Sequence, residues 1–326
     1  MSSNHLTKIA IVGASGSVGK YVVASLLANG KHQVMAITRA DSKAVFPKGV
    51  VIAKVDYDDQ ATLVAALQGQ DALIITMSVA APPGQQQKLI AAAAEAKVPW
   101  ILPNEWGGEY SDLVGQEVLI GPANKAMREY IEELGVSSWI GVACGFWYEF
   151  SLVGMQEQFG FDLKNRDVML YDDGTTTITT STWQKCGEAV AALLALPVSK
   201  ATGVEGPVLE DWRNKYTHFS SFEISQRDMF ESLKRVTGTK EEDWKVSTVP
   251  VEDYYKQGRD ELAKGSRIGF AKALYGRMFF KDGAGNARVL TGLDDEKLGL
   301  SKEVLDDATK RAVDMYESGL LGQSHA

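Results

Sequence analysis

Lys8-Ile9-Ala10-Ile11-Val12-Gly13-Ala14-Ser15-Gly16-Ser17-Val18-Gly19 is the stretch whose reading decides the fold. Ile9 to Val12 is apolar with no polar alternation, as expected of a strand buried on both faces. It passes straight into a loop with glycine at positions 13, 16 and 19. Beyond the loop, Val18, Val22, Val23, Leu26 and Leu27 recur at helical spacing, and Asn29-Gly30 closes the pattern. His32 to Ile37 reads as a second strand, ending at Thr38-Arg39. A strand-turn-helix-strand unit of about thirty residues is the setting in which a glycine motif acquires meaning.

Each glycine has a physical task in that setting. Gly13 permits a tight turn out of the strand, Gly16 lets backbone approach a pyrophosphate, and Gly19 lets the helix pack closely on the sheet. The N–H groups around Ser15, Gly16, Ser17 and Val18, at the positive end of the helix dipole, face the anion. The spacing is G-x-x-G-x-x-G rather than G-x-G-x-x-G, and a bare tight turn is the plain alternative. The surrounding βαβ unit favours a dinucleotide. At the end of the second strand an acidic residue would bind the ribose hydroxyls of NAD, whereas an arginine forks onto a 2′-phosphate. Arg39 stands there and favours NADP(H); Asp41 pulls the other way, and Arg39 as an ordinary surface charge is the competing reading.

Composition bounds the rest. At 326 residues the chain can bury a large core, with one large domain and a smaller lobe. A net charge of −8 with no clustered basic tract argues against a grip on nucleic acid or on an anionic membrane. Two cysteines, Cys144 and Cys186, are too few for a disulfide scaffold and fit a reducing compartment. No signal peptide, membrane-length apolar run or C-terminal address in Gln-Ser-His-Ala is read, so the cytosol is the expectation.

Strand and helix then alternate: strand Val50–Val55, a helix with Leu63, Ala66 and Leu67 inward, strand 71–76, helix 85–96 and strand 98–102. A helix opened by Pro122-Ala123-Asn124-Lys125 and a strand 138–143 complete the series. This is the signature of a Rossmann-type doubly wound parallel sheet, in which ligands sit beyond the carboxyl ends of the strands. The informative residues are therefore those just after each strand. Asp56 accepts from an adenine amino group or else caps the next helix, while Met77 and Ser78 line the cofactor's path. Pro103-Asn104-Glu105-Trp106-Gly107 places a polar pair and an aromatic ring where a nicotinamide would lie, or forms a rigid surface turn. Phe146, Trp147, Tyr148 and Phe150 wall an apolar substrate pocket or form the core of a second lobe.

The second half lacks this rhythm, so the boundary is set at 1–150 for the dinucleotide domain and 151–326 for a mixed α/β substrate lobe, with room for the chain to cross back. Val168–Tyr171 and Thr175–Thr182 read as a hairpin about Asp172-Asp173-Gly174. Phe222 to Thr237 reads as one amphipathic helix started by Ser220 or Ser221, 244–249 as a strand, and 251–263 and 303–318 as helices. Residues 264–292 carry no clear pattern. His5, His32, His218 and His325 show no metal-ligand spacing and are expected to stand outside the chemistry; no metal is expected.

The glycine loop, Arg39, Pro103-Asn104-Glu105-Trp106-Gly107 and the helix holding Asn124-Lys125 together resemble the NmrA-like/isoflavone reductase-like family of atypical short-chain dehydrogenase/reductases. The likeness is good over about residues 6–150, where Pro-Asn-Glu-Trp-Gly is similar to the family's Pro-Ser-Glu-Phe-Gly. The resemblance implies NADP(H) and one lysine near the nicotinamide. Lys125 inherits that role as the lysine of its helix, although an ungapped count from Leu134-Gly135 puts Asn124 at the family's position. One residue on a helix is a turn of about 100°. A lysine desolvated beside an apolar pocket would serve as proton donor, with Tyr148, Tyr110 and Glu105 in reserve. The leading expectation is an NADPH-dependent reductase of an apolar, aromatic or secondary-metabolite-like small molecule, monomeric or a homodimer. An NAD(P)-sensing regulator without turnover and a redox-neutral isomerase or lyase are the alternatives.

Overall fold

A computed structural model describes residues 4–78, 81–200, 203 and 205–321; His325 and the C-terminal Gln-Ser-His-Ala lie outside the described residues. The first strands are β1 Lys8–Val12, β2 Gln33–Arg39, β3 Val50–Val55, β4 Ala72–Ile75, β5 Trp100–Leu102, β6 Trp106–Gly107 and β7 Ser138–Ala143. They are followed by β8 Phe146–Trp147, β9 Phe161–Asp162, β10 Asp167–Tyr171, β11 Ile178–Ser181, β12 Lys215–His218, β13 Phe222–Ile224 and β14 Lys245–Val249. The main sheet runs β12-β7-β5-β4-β1-β2-β3, with β6 also on β7, and every pairing in it is parallel.

Strand alternation divides the sheet's side chains between two layers. Ile9 and Ile11 face a core shared with Val22, Val23 and Leu26 of the helix Gly19–Asn29 and with Cys186, Val190 and Leu193 of the helix Trp183–Leu194. Ala10 and Val12 face the opposite layer, where Leu63, Leu89, Ile90 and Ile131 come from the helices Gln60–Leu67, Gln85–Glu95 and Gly121–Leu134. The doubly wound arrangement predicted from the strand-helix alternation is what the chain forms. Its second half also contributes: β12 extends the sheet beyond β7, and the helix Trp183–Leu194 covers one face.

The remaining strands build two small sheets, β14-β10-β9 and β13-β11-β8, around a separate core that includes Tyr148, Phe159, Tyr171 and Phe279. Here two expectations are corrected. The segments 168–171 and 175–182 do not form a hairpin: β10 pairs with β14 and β9, whereas β11 pairs with β13 and β8. The turn between them does carry positive φ at Asp172 and Gly174, but the Asp172 N–H donates to Val249 O, steering the chain toward β14. Nor is 222–237 one helix. Phe222 and Ile224 alternate with exposed Glu223 in β13, and the helix Gln226–Thr237 starts after Ser225, whose hydroxyl accepts from the Asp228 N–H while Asp228 bonds back to the Ser225 N–H. The unpatterned 264–292 holds the helix Arg267–Met278 and a short turn of helix Ala287–Leu290.

The two cores meet at Glu149, which is 2% exposed. Its carboxylate accepts from the Trp183 N–H at 3.2 Å, at the head of the helix Trp183–Leu194, and lies 3.8 Å from Arg311. Burial outweighs these partners and pushes its pKa up to about 7. The fold therefore holds a proton that the unfolded chain has already lost. Stability is expected to fall as pH rises from about 4.3, the ordinary glutamate value, to about 7 and to level off above it. Urea denaturation of wild type and Glu149→Gln across pH 4–8 checks this: the variant should lack that slope.

Candidate functional site

The glycine loop closes on itself. Gly13 has φ +78°, and a Cβ there would lie 2.0 Å from Thr76 O, inside any tolerable contact. A Cβ at Gly19 would lie 2.1 Å from Gly13 O. Both glycines are thus demanded by backbone meeting backbone. Gly19 is the first residue of the helix Gly19–Asn29, so this contact brings the helix start close onto the strand ends, with Thr76 Oγ1 after β4 3.0 Å from the same point. A Cβ at Gly16 would meet Gly13 O at 3.1 Å, a milder conflict, and Ser15, Gly16 and Ser17 face outward. Val18 is buried, and the helix Gly19–Asn29 begins with no side-chain cap. Asp59, Thr182 and Ser225 cap their helices with side-chain oxygens, whereas the helices Gln85–Glu95, Gly121–Leu134, Val251–Ala263 and Leu305–Glu317 also start without one, so it is the adjoining glycine loop that sets this start apart. An uncapped, outward-facing helix start is what an anion requires.

Arg39 ends β2 with its side chain 73% exposed, 3.6 Å from Asp41. Asp56 follows β3 and accepts from the Asp58 N–H; the capping role that competed for it belongs to Asp59. Asn104 clamps the β4 end, its Oδ1 accepting from the Met77 N–H at 2.9 Å and its Nδ2 donating to Met77 O at 3.2 Å. Trp106 Nε1 donates to Ile75 O at 2.9 Å. The side chains of Asn104 and Trp106 therefore hold two strand ends together beside the loop. Glu105, 4% exposed, receives the Arg128 guanidinium at 2.5 Å and the Tyr216 hydroxyl at 2.6 Å. Burial raises its pKa, and Tyr216 and Arg128 oppose the rise.

Lys125 is half exposed, its Nζ 3.2 Å from Asp112 Oδ1, so the desolvated lysine expected at this point is instead a paired surface ammonium. Lys125 and Asn124 both border a shallow cavity with Tyr110 and Arg128. A second, narrow cleft, also bordered by Tyr110, lies between Gly107–Tyr110, Gly145-Phe146 and the segment around Gly285 and Leu290, with a cavity volume of about 30 Å³. Of the aromatic run only Phe146 lines it, its ring stacked 3.9 Å from that of Tyr275. Tyr148 does not: it is fully buried in the second core, bonded to Thr309 at 2.7 Å. Trp147 and Phe150 pack against Trp183 under the first core.

Two residues in the cleft have no signature in the sequence. His218 ends β12 and was expected to be idle, yet it lines the cleft with its Nε2 2.8 Å from Glu109 Oε2. The imidazole beside it holds the Glu109 carboxyl below its usual range. Desolvation pushes the Tyr110 hydroxyl up to about 12. Among the described residues no cluster of His, Cys, Asp or Glu could hold a metal ion, and no helix is long and apolar enough to cross a membrane.

Comparison with known proteins places this geometry. The NmrA-like family profile matches residues 6–257. A curated relative described as an oxidoreductase, aprR of Aspergillus flavus, is 28% identical over 268 residues, 80% of this chain and 84% of its own. A solved isoflavone reductase superposes with a TM-score of 0.71 at 19% identity, covering 94% of this chain and 99% of that one. An NADPH-dependent quinone oxidoreductase of Escherichia coli, solved with NADPH, gives 0.66 at 19% identity with the same coverage. At such identities the two structures speak for the fold.

The Glu105–Arg128–Tyr216 cluster yields a stability prediction. Replacing Arg128 with methionine keeps the packing volume but leaves a buried carboxyl without its cation, and should cost about 3 kcal/mol at neutral pH. Denaturant titration at pH 7.5 and pH 5 checks it, the loss shrinking at the lower pH as Glu105 takes a proton.

Proposed function

The chain belongs to the NmrA-like family, and on that footing we propose that it is an NADP(H)-dependent oxidoreductase reducing an apolar, aromatic small molecule. The observation that carries this reading is the uncapped helix start above a loop whose two outer glycines, Gly13 and Gly19, admit no side chain. Such a loop fits a pyrophosphate. Residues 13–19 would hold it, with Arg39 free to turn from Asp41 to a 2′-phosphate and Asp56 at the adenine edge. Met77, Asn104 and Trp106 would border the path toward the cleft. The named relatives, an oxidoreductase and an NADPH-dependent quinone oxidoreductase, point the same way.

When bound, the cofactor supplies a hydride; the protein orients the substrate and manages one proton. Lys125 is the proposed group at the reacting oxygen, an ammonium able to stabilise negative charge as it develops once it leaves Asp112. Residues 1–150 form the proposed cofactor half, and 151–326 the substrate half that crosses back through β12. A second reading, a cofactor sensor without turnover, is favoured by the exposure of Lys125 and its pairing with Asp112.

Titration of wild type and Arg39→Ala with NADPH and NADH tests the reading. NADPH should bind more tightly to wild type, and the variant should lose about tenfold or more for NADPH with little change for NADH. Binding of neither cofactor sinks the proposal, and equal binding of both removes Arg39 from it. Lys125→Ala, assayed for NADPH oxidation against aromatic ketones and enones, separates reductase from sensor.

A further inference from the structure

We propose that the outer edge of β3 is a self-association surface, where a second copy of this chain adds its own β3 antiparallel about a two-fold axis. The main sheet ends on two edges, β12 and β3, and the chain treats them differently. At β12 the His218 N–H donates to Asp294 Oδ2 at 3.1 Å, and the His218 carbonyl accepts from the Asp294 N–H at 2.6 Å. That edge is covered from within. β3 pairs with β2 on its inner side, and no strand among the described residues pairs with its outer side.

The phase of β3 follows from one contact. The Ala40 N–H donates to Val55 O, so Val55, and with it Ala53 and Val51, turns its backbone groups toward β2. Val50, Ile52 and Lys54 turn theirs outward, where the Val50 N–H is taken locally by Pro47 O. The side chains of this edge are apolar on both faces. Val50 packs against the core under the helix Gly19–Asn29, and Ala53 and Val55 pack against the opposite layer. Between them Val51 is 54% and Ile52 51% exposed, so the covering layers stop short of the edge on either side. An open edge is ordinarily guarded by charge, proline or a bulge. β3 carries one charge, Lys54, near its end.

The outward-facing residues centre on Ile52, and this sets the register of a symmetric pair. With Ile52 opposite itself, each copy's Ile52 donates to and accepts from the other's, and each Lys54 N–H reaches the other's Val50 carbonyl. A slip by two residues leaves Val50 or Lys54 with nothing opposite. The same register brings Lys48, just before the strand, level with the partner's Asp56, just after it, and symmetry repeats the match. Opposite charges then meet at both ends, with the Ile52 side chains together at the centre. Agreement between hydrogen-bond phase and charge points to a copy of this chain as the occupant. The proposal does not depend on the cofactor reading.

Sedimentation of the full chain without cofactor, over about 1–100 μM, tests it: wild type should pass from monomer to dimer in that range. Ile52→Pro removes an outward N–H and leaves the ladder to β2 whole, so it should fold and raise the dimer dissociation constant about tenfold or more. Ile52→Cys should form a disulfide-linked dimer with oxidised glutathione as oxidant, because the residue lies opposite its own copy. Val51→Cys, opposite Ala53 on the other face, should cross-link far more slowly. Cys144 and Cys186 are buried and do not compete. A monomer throughout, a dimer indifferent to Ile52→Pro, or equal cross-linking of the two cysteine variants overturns the proposal. If Ile52→Pro does not fold, Ile52→Lys decides, since it sets like charges opposite each other: an unchanged dimer there overturns it.

Discussion

The carbonyl oxygen of Thr76 stands where any side chain on residue 13 would have to be, and much of the site follows from that contact. It forces glycine and positive φ at the end of β1, which in turn folds the loop back until Gly19 meets Gly13. Thr76 also donates its hydroxyl to Val12 O, so the ends of β1 and β4 are tied twice. From there the ties continue along the edge of the sheet. Met77 is clamped by Asn104, Ile75 by Trp106, and Glu105 joins the loop after β5 to Arg128 and to Tyr216 on β12. Two residues further along β12 stands His218. A line of hydrogen-bonded backbone and side chain thus runs along the edge from the glycine loop toward the cleft and fixes the strand ends relative to one another.

The polar residues of this edge divide their work. Asn104, Trp106 and Glu105 sit where a ligand contact was expected, yet their side chains are engaged with the protein itself. What stays turned toward solvent or the cleft is mostly backbone at Gly16 and Gly107–Gly108, the Arg39 guanidinium, and the His218–Glu109 pair. The most conspicuous side chains of the Pro103–Gly107 motif thus act as braces.

The first half of the fold was legible because buried parallel strands read as unbroken apolar runs, and because the glycines of a βα turn recur at short spacing even where, as at Gly13, a remote strand end enforces them. The second half was not, for reasons of distance. Asp172-Asp173-Gly174 is a genuine turn, but the partner of Val168 is Val246, and no local pattern names so remote a strand. The strand Phe222–Ile224 is three residues long, and its short alternation merges into the amphipathic pattern of the helix behind it. The Ser225–Asp228 box was the readable stop between them. The pairing of His218 with Glu109 left no trace in the sequence, because the topology alone brings the two together. For Tyr148 the choice between pocket wall and second core stayed open in the sequence, because an aromatic run records hydrophobicity and not which wall each ring joins.

The strand β12 has a consequence for how the molecule comes into being. Its partner β7 ends at Ala143, and β12 begins at Lys215, so during synthesis the rim of the growing sheet waits for some seventy residues to be added. At about 5–20 residues per second that is roughly 4–15 s with a row of bare amide and carbonyl groups on β7. Such a rim invites another chain to add a strand. The nascent protein is therefore most vulnerable to its neighbours on the ribosome just before its last sheet position is filled, and chaperone demand should peak in that interval.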